Sequence, residues 1–116
     1  MFQVTGVKYM LMAEDMDRAV GFYAKTIGLT IRLATPHWSE LTAGDAVVAL
    51  HSGGTGDRVD TGLGFVVDDI AGAVEAVVAG GGSVVREPHA PGGEGILLAD
   101  VVDTEGNGFM LSQPLG

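Results

Sequence analysis

Two stretches of the chain carry the same order of apolar and polar positions. Gln3–Met12 reads as a strand, and Glu14–Ile27 then places Met16, Ala19, Val20, Tyr23 and Ile27 at helical spacing. The pattern returns as a strand at Leu63–Val67 and a helix at Asp69–Ala79. Acidic pairs, Glu14-Asp15 and Asp68-Asp69, stand at the two helix starts. Asp15 is the best N-cap of the first, because a carboxylate there accepts from unpaired amide N–H groups and suits the helix dipole. Gly28 and the run Gly80-Gly81-Gly82 stand where the helices end, since glycine takes the left-handed C′ conformation cheaply. Three short strands follow each helix: Leu29–Ala34, Trp38–Leu41 and Ala46–His51, then Ser83–Glu87, Gly95–Val102 and Gly108–Gln113. Ala43-Gly44-Asp45 and Asp103–Asn107 read as hairpin turns, Ser52–Thr61 as a linker and Pro88–Glu94 as a polar, glycine-rich loop. Each half is therefore a βαβββ unit. A repeat of about fifty residues, present only twice, is a duplicated supersecondary unit and not a solenoid. The expected fold is α+β, one domain over 1–116, with module one at about 1–54 and module two at about 60–116.

Composition narrows the function. Hydrophobic residues make up 47% of the 116, enough for a core. A net charge of -9, with only six scattered basic residues, argues against nucleic acid, whose phosphates need clustered Lys and Arg. No run of about 18 apolar residues occurs and no charged-then-apolar leader opens the chain, so a soluble, cytoplasmic protein without a membrane partner is expected. The absence of cysteine excludes disulfides and thiolate ligands. The 19 glycines concentrate in turns and form no phosphate-binding motif.

The segment ending Gly21-Phe22-Tyr23, followed by Gly28-Leu29, then Gly64-Phe65-Val66-Val67-Asp68-Asp69 and the turn Asp103-Thr104-Glu105-Gly106-Asn107, resembles the vicinal oxygen chelate superfamily. This is the glyoxalase, bleomycin-resistance and extradiol dioxygenase group. The resemblance covers essentially the whole chain. It implies paired βαβββ modules whose curved sheets enclose a cavity, often in a homodimer. Metal-dependent members place ligands on the first and last strand of each module, positions that fall here at Lys8, Ala49, Gly62 and Met110. Lysine carries its own charge and the other three lack an oxygen or nitrogen side-chain donor, so no metal and no other cofactor is expected.

Strand alternation indicates what lines the cavity instead. Lys8, Met10 and Met12 point inward from the first strand, with Val7, Tyr9 and Leu11 towards the helices. Val47, Ala49 and His51 share the inner face of the fourth strand, Gly62, Gly64 and Val66 that of the fifth, and Met110 and Ser112 that of the last. A two- or four-residue hairpin loop brings Trp38 and Glu40 to the same face; a three-residue loop reverses them.

The expected surface is mainly apolar, with small residues making room and methionines that either adapt to a ligand or fill a core. Trp38 suits a flat ring. Glu40 is a candidate general base if burial raises its pKa, or else the structural partner of Lys8. His51 is a candidate acid or base, or a metal ligand with Glu40 and His37, against the plainer reading of an exposed strand-end histidine. His89 lies in the loop that borders the cavity in this family, or is simply solvated.

The leading expectation is a metal-free small-molecule-binding protein, similar to the bleomycin-resistance type, that buries an apolar, aromatic or cationic ligand. The cationic option rests on Glu40. The rival is a glyoxalase-like lyase, isomerase or dioxygenase-family enzyme using Glu40 and His51 or a relocated metal. A third is a pocketless structural domain. A homodimer is expected in any case, because two small modules bury their sheets poorly alone.

Overall fold

The computed structural model describes residues 1–93 and 95–116. Its strands are β1 (Lys8–Ala13), β2 (Thr30–Ala34), β3 (Trp38–Ala43), β4 (Ala46–Ser52), β5 (Val59–Val66), β6 (Ser83–His89), β7 (Ile96–Val102) and β8 (Asn107–Pro114). The helices are α1 (Met16–Gly21) and α2 (Ile70–Ala79). Both helix starts follow the expected chemistry. The Asp15 carboxylate accepts from the Arg18 N–H at 3.1 Å, and that of Asp69 from the Gly72 N–H at 3.1 Å. The first helix differs from one continuous α-helix: after Gly21 it widens into π turns over Phe22–Ile27, where Phe22 and Tyr23 are both buried. It stops at Gly28, whose φ of 90° is left-handed.

Two four-stranded sheets result, ordered β1-β4-β3-β2 (sheet A) and β5-β8-β7-β6 (sheet B). In each, the first strand runs parallel to the last and the other neighbours are antiparallel. The first strand is shorter than the expected Gln3–Met12. Lys8 pairs with Val47, and β4 begins only one residue earlier, at Ala46, so the segment before Lys8 has almost no ladder to join. Val7, expected against the helices, is exposed for that reason. β6 in turn runs on through Pro88 to His89, taking part of the expected 88–94 loop into the sheet. A proline fits there because β6 is an edge strand. Glu94, the end of that expected loop, lies outside the described residues.

One core serves both modules. Leu11, Phe22, Tyr23, Leu41 and Leu50 from the first pack with Leu63, Val74, Val77, Phe109 and Leu111 from the second. Phe109 meets Phe22 and Tyr23 at ring-centroid separations of 6.4 and 6.3 Å. The turn at Asp103–Asn107 locks this junction. Glu105, buried, accepts from the N–H groups of Glu14 and Asp15 at 3.0 and 2.8 Å, and from Arg18 Nε at 2.8 Å. It thereby caps the first helix from the other module. Tyr23 donates to Asp103 at 2.6 Å, and Asn107 Nδ2 donates to the Met12 carbonyl at 2.8 Å. Burial, and then the Asp103 charge, hold the Tyr23 hydroxyl well above its ordinary pKa.

The molecule measures 42 × 39 × 22 Å, a slab about one sheet and one helix layer deep. The sheets curve but do not close, so their second faces stay open. No described helix is long and apolar enough to cross a membrane.

Candidate ligand-binding site

The open face of sheet A is built in rows. Ala43 pairs with Ala46, so the β3–β4 hairpin has a two-residue loop, the parity that puts Trp38 and Glu40 beside the inner residues of β4. Met10, Ala49 and Glu40 form one cross-strand row. Met12, His51 and Trp38 form the next, and Lys8, Val47 and Thr42 the third. Ala49 is buried beneath this surface, whereas Met10 and Met12 are 53% and 38% exposed. The methionines therefore do not fill the core. Trp38 and His51 meet edge to face at 5.9 Å, and Lys8 Nζ stands 5.7 Å from the Trp38 ring centre.

Glu40 is the hub of the face. Its Oε2 accepts from Lys8 Nζ at 2.7 Å and from Trp38 Nε1 at 2.9 Å. Its Oε1 accepts from Arg32 Nε at 2.9 Å and from Arg32 Nη2. Hydrogen bonds from Lys8, Arg32 and Trp38 outweigh the cost of burial and hold the carboxyl down at about 2. The raised pKa expected of a general base is therefore corrected: Glu40 is a fixed carboxylate near neutral pH, and the ion pair with Lys8 is present. Arg32, its third partner, was not anticipated. A bulge between Ile31 and Leu33 carries it to Glu40, and strand alternation does not foretell a bulge.

The histidines stay apart. His51 is exposed and its Nδ1 lies 2.5 Å from the Ser52 carbonyl. His37 is exposed in the β2–β3 connection, and His89, half-buried at the end of β6, turns its Nδ1 to the Glu87 carbonyl at 3.0 Å. Among the described residues no group of three or more His, Asp or Glu is gathered closely enough to hold a metal ion. Lys8 carries its own charge, and Ala49, Gly62 and Met110 have no oxygen or nitrogen side-chain donor for a divalent cation.

Sheet B offers a second open face. Gly64 pairs with Met110 and Val66 with Ser112, and Met110 is 42% exposed. A cleft of about 290 Å³ lies here between Met110, Asp100, Val85 and the Arg58–Asp60 ion pair. Gly62 has another duty. A β-carbon there would stand 2.8 Å from the Tyr9 hydroxyl, so its bareness makes room for β1 at the seam between the sheets.

Comparison with known proteins agrees with this architecture. The family model for the Glyoxalase/Bleomycin resistance protein/Dioxygenase superfamily matches residues 7–111. A chloroplastic protein of Arabidopsis thaliana, described as a probable lactoylglutathione lyase, is 32% identical over 112 residues covering 84% of this chain. The chain spans only 32% of that relative's length. Among solved structures, a superfamily enzyme from Burkholderia phytofirmans superposes with a TM-score of 0.78 at 17% identity, covering 93% of this chain and 97% of that one. The bleomycin-binding protein of Streptomyces verticillus, complexed with copper(II)-bleomycin, gives a TM-score of 0.68 at 18% identity over 100% and 99% of the two chains. A fosfomycin resistance protein from Listeria monocytogenes gives 0.78 at 11% identity over 96% and 94%. At such identities the structures share the fold alone. Fold, repeat and family match agree: the chain belongs to the glyoxalase/bleomycin resistance protein/dioxygenase superfamily.

Proposed function

We propose that this protein binds a small molecule without a metal, holding a flat apolar or aromatic group on the open face of sheet A. The observation that carries this reading is the exposure of large adaptable side chains where a folded domain gains nothing from them. Met10 and Met12 stand outside the core on the same face as Trp38, with Ala49, Val47 and His51 of β4 between β1 and β3. Isolated exposed apolar residues are ordinary, but a row of them beside an indole and a charged cluster is the composition of a ligand site. Val47 and His51 complete the proposed lining of this face; Gly64, Met110 and Ser112 stand on the second open face, that of sheet B.

The enzyme reading has less support. A carboxylate held at about 2 is a poor proton acceptor near neutral pH, and His51 makes no hydrogen bond to Glu40. A thermal-shift screen of aromatic metabolites tests the binding reading. A ligand that raises the melting temperature of the parent is expected to lose that effect in Trp38→Ala. Ligand-induced shifts of equal size in both proteins would remove sheet A from the site.

A further inference from the structure

The hydrogen-bonding capacity of the Glu40 cluster is unequal, and this bears on ligand charge. Each carboxylate oxygen of Glu40 already accepts twice, which uses its ordinary acceptor capacity. Glu40 has nothing left for a cation. Its partners do have something left. Lys8 carries three N–H donors and Arg32 five, and the contacts with Glu40 occupy a minority of them. Both side chains are about half exposed, at 54% and 49%. They line one hollow of about 460 Å³ with Thr5, Val7 and Val47; Trp38 stands outside this lining, its ring centre 5.7 Å from Lys8 Nζ. The other acid on its rim is Asp45, exposed at the tip of the β3–β4 hairpin and outside ion-pair distance of either cation.

Resting on the proposed function, we infer that the ligand of this face is a small aromatic anion. Lys8 and Arg32 hold its acidic group and Trp38 packs against its ring. Glu40 is a positioning residue that ties the two cations together without neutralising both. Charge-assisted hydrogen bonds to an anion are about twice as strong as neutral ones, and an arginine fork suits a planar carboxylate. The chain's overall charge of -9 does not prevent this, because acids beyond about 10 Å are largely screened at moderate ionic strength. The cationic group considered for Glu40 is thereby replaced by its opposite.

The chain has one tryptophan, so a single indole N–H resonance reports on the site. We would follow it in nitrogen-labelled protein during titrations with benzoate, benzyl alcohol and benzylamine, which share a ring and differ in charge. Benzoate is expected to bind more tightly than either relative. Lys8→Met and Arg32→Met should each weaken benzoate about tenfold, the loss of one charge-assisted contact. Asp45→Asn, which disturbs none of these contacts, should tighten it, and Lys25→Met in the π turns should change nothing. Benzylamine or benzyl alcohol binding as tightly as benzoate would overturn the charge assignment and leave the aromatic site standing. No response to any of the three would overturn both.

Discussion

Glu40 and Glu105 are both buried carboxylates with lowered pKa values, yet they serve different ends. Glu40 faces outward into a cluster of half-exposed cations on one sheet. Glu105 faces inward and joins two modules. Burial pushes the Glu105 pKa up, but the hydrogen bonds from Arg18, Thr104 and the Asp15 N–H outweigh it. Replacing Glu105 with Gln keeps one acceptor and loses the charge. The expected cost is about 2 kcal/mol, the scale of a hydrogen bond to a charged group, measured by urea unfolding. Glu105 was legible only as part of a turn. The residues it caps lie some ninety positions away in the chain, and no local pattern announces such a partner.

At the scale of elements, end signals were the most readable feature. Asp15, Gly28, Asp69 and the glycines after Ala79 mark helix ends because they act through their own or adjacent backbone groups. Gly28 gives a clean test, since a β-carbon there would meet nothing within 4 Å and only its φ of 90° is at stake. Gly28→Ala is expected to destabilise by about 1 kcal/mol, seen as a lower urea midpoint with an unchanged slope. Strand alternation was equally legible on β1, β3, β4 and β8, where every second residue faces the core. It fell short at β2 and at Asp60–Gly64, where irregularities shift the register and set Arg32 and Gly62 to unforeseen tasks.

At the scale of the whole molecule, the open sheet faces expose Met10, Met12, Leu33, Val66, Val85 and Met110. So much apolar surface on one slab suits a second copy. We predict a dimer in sedimentation at micromolar concentration; a concentration-independent monomer would refute it. Stability should also depend on acid. The pKa values of Glu40 and Glu105 are lower in the folded chain than their ordinary 4.5, so their stabilisation is full above that value. It is lost as pH falls through the folded values, for Glu40 down to about 2. The melting temperature should therefore drop below about pH 4.5, and less steeply in Glu105→Gln.

The amino-acid order by itself determined the duplication, the two helices and their caps, most strands, and the face on which the methionines stand. These depend on local backbone chemistry and on a side-chain period of two or 3.6, both of which are written along the chain. Tertiary structure alone decided that Glu105 ties the modules together and that Arg32 joins Glu40 through a bulge. It also decided that Glu40 is saturated, which turns a candidate base into a fixed carboxylate. Those outcomes depend on which donors reach an acceptor in space, and a pKa follows from that encounter and not from the residue's identity.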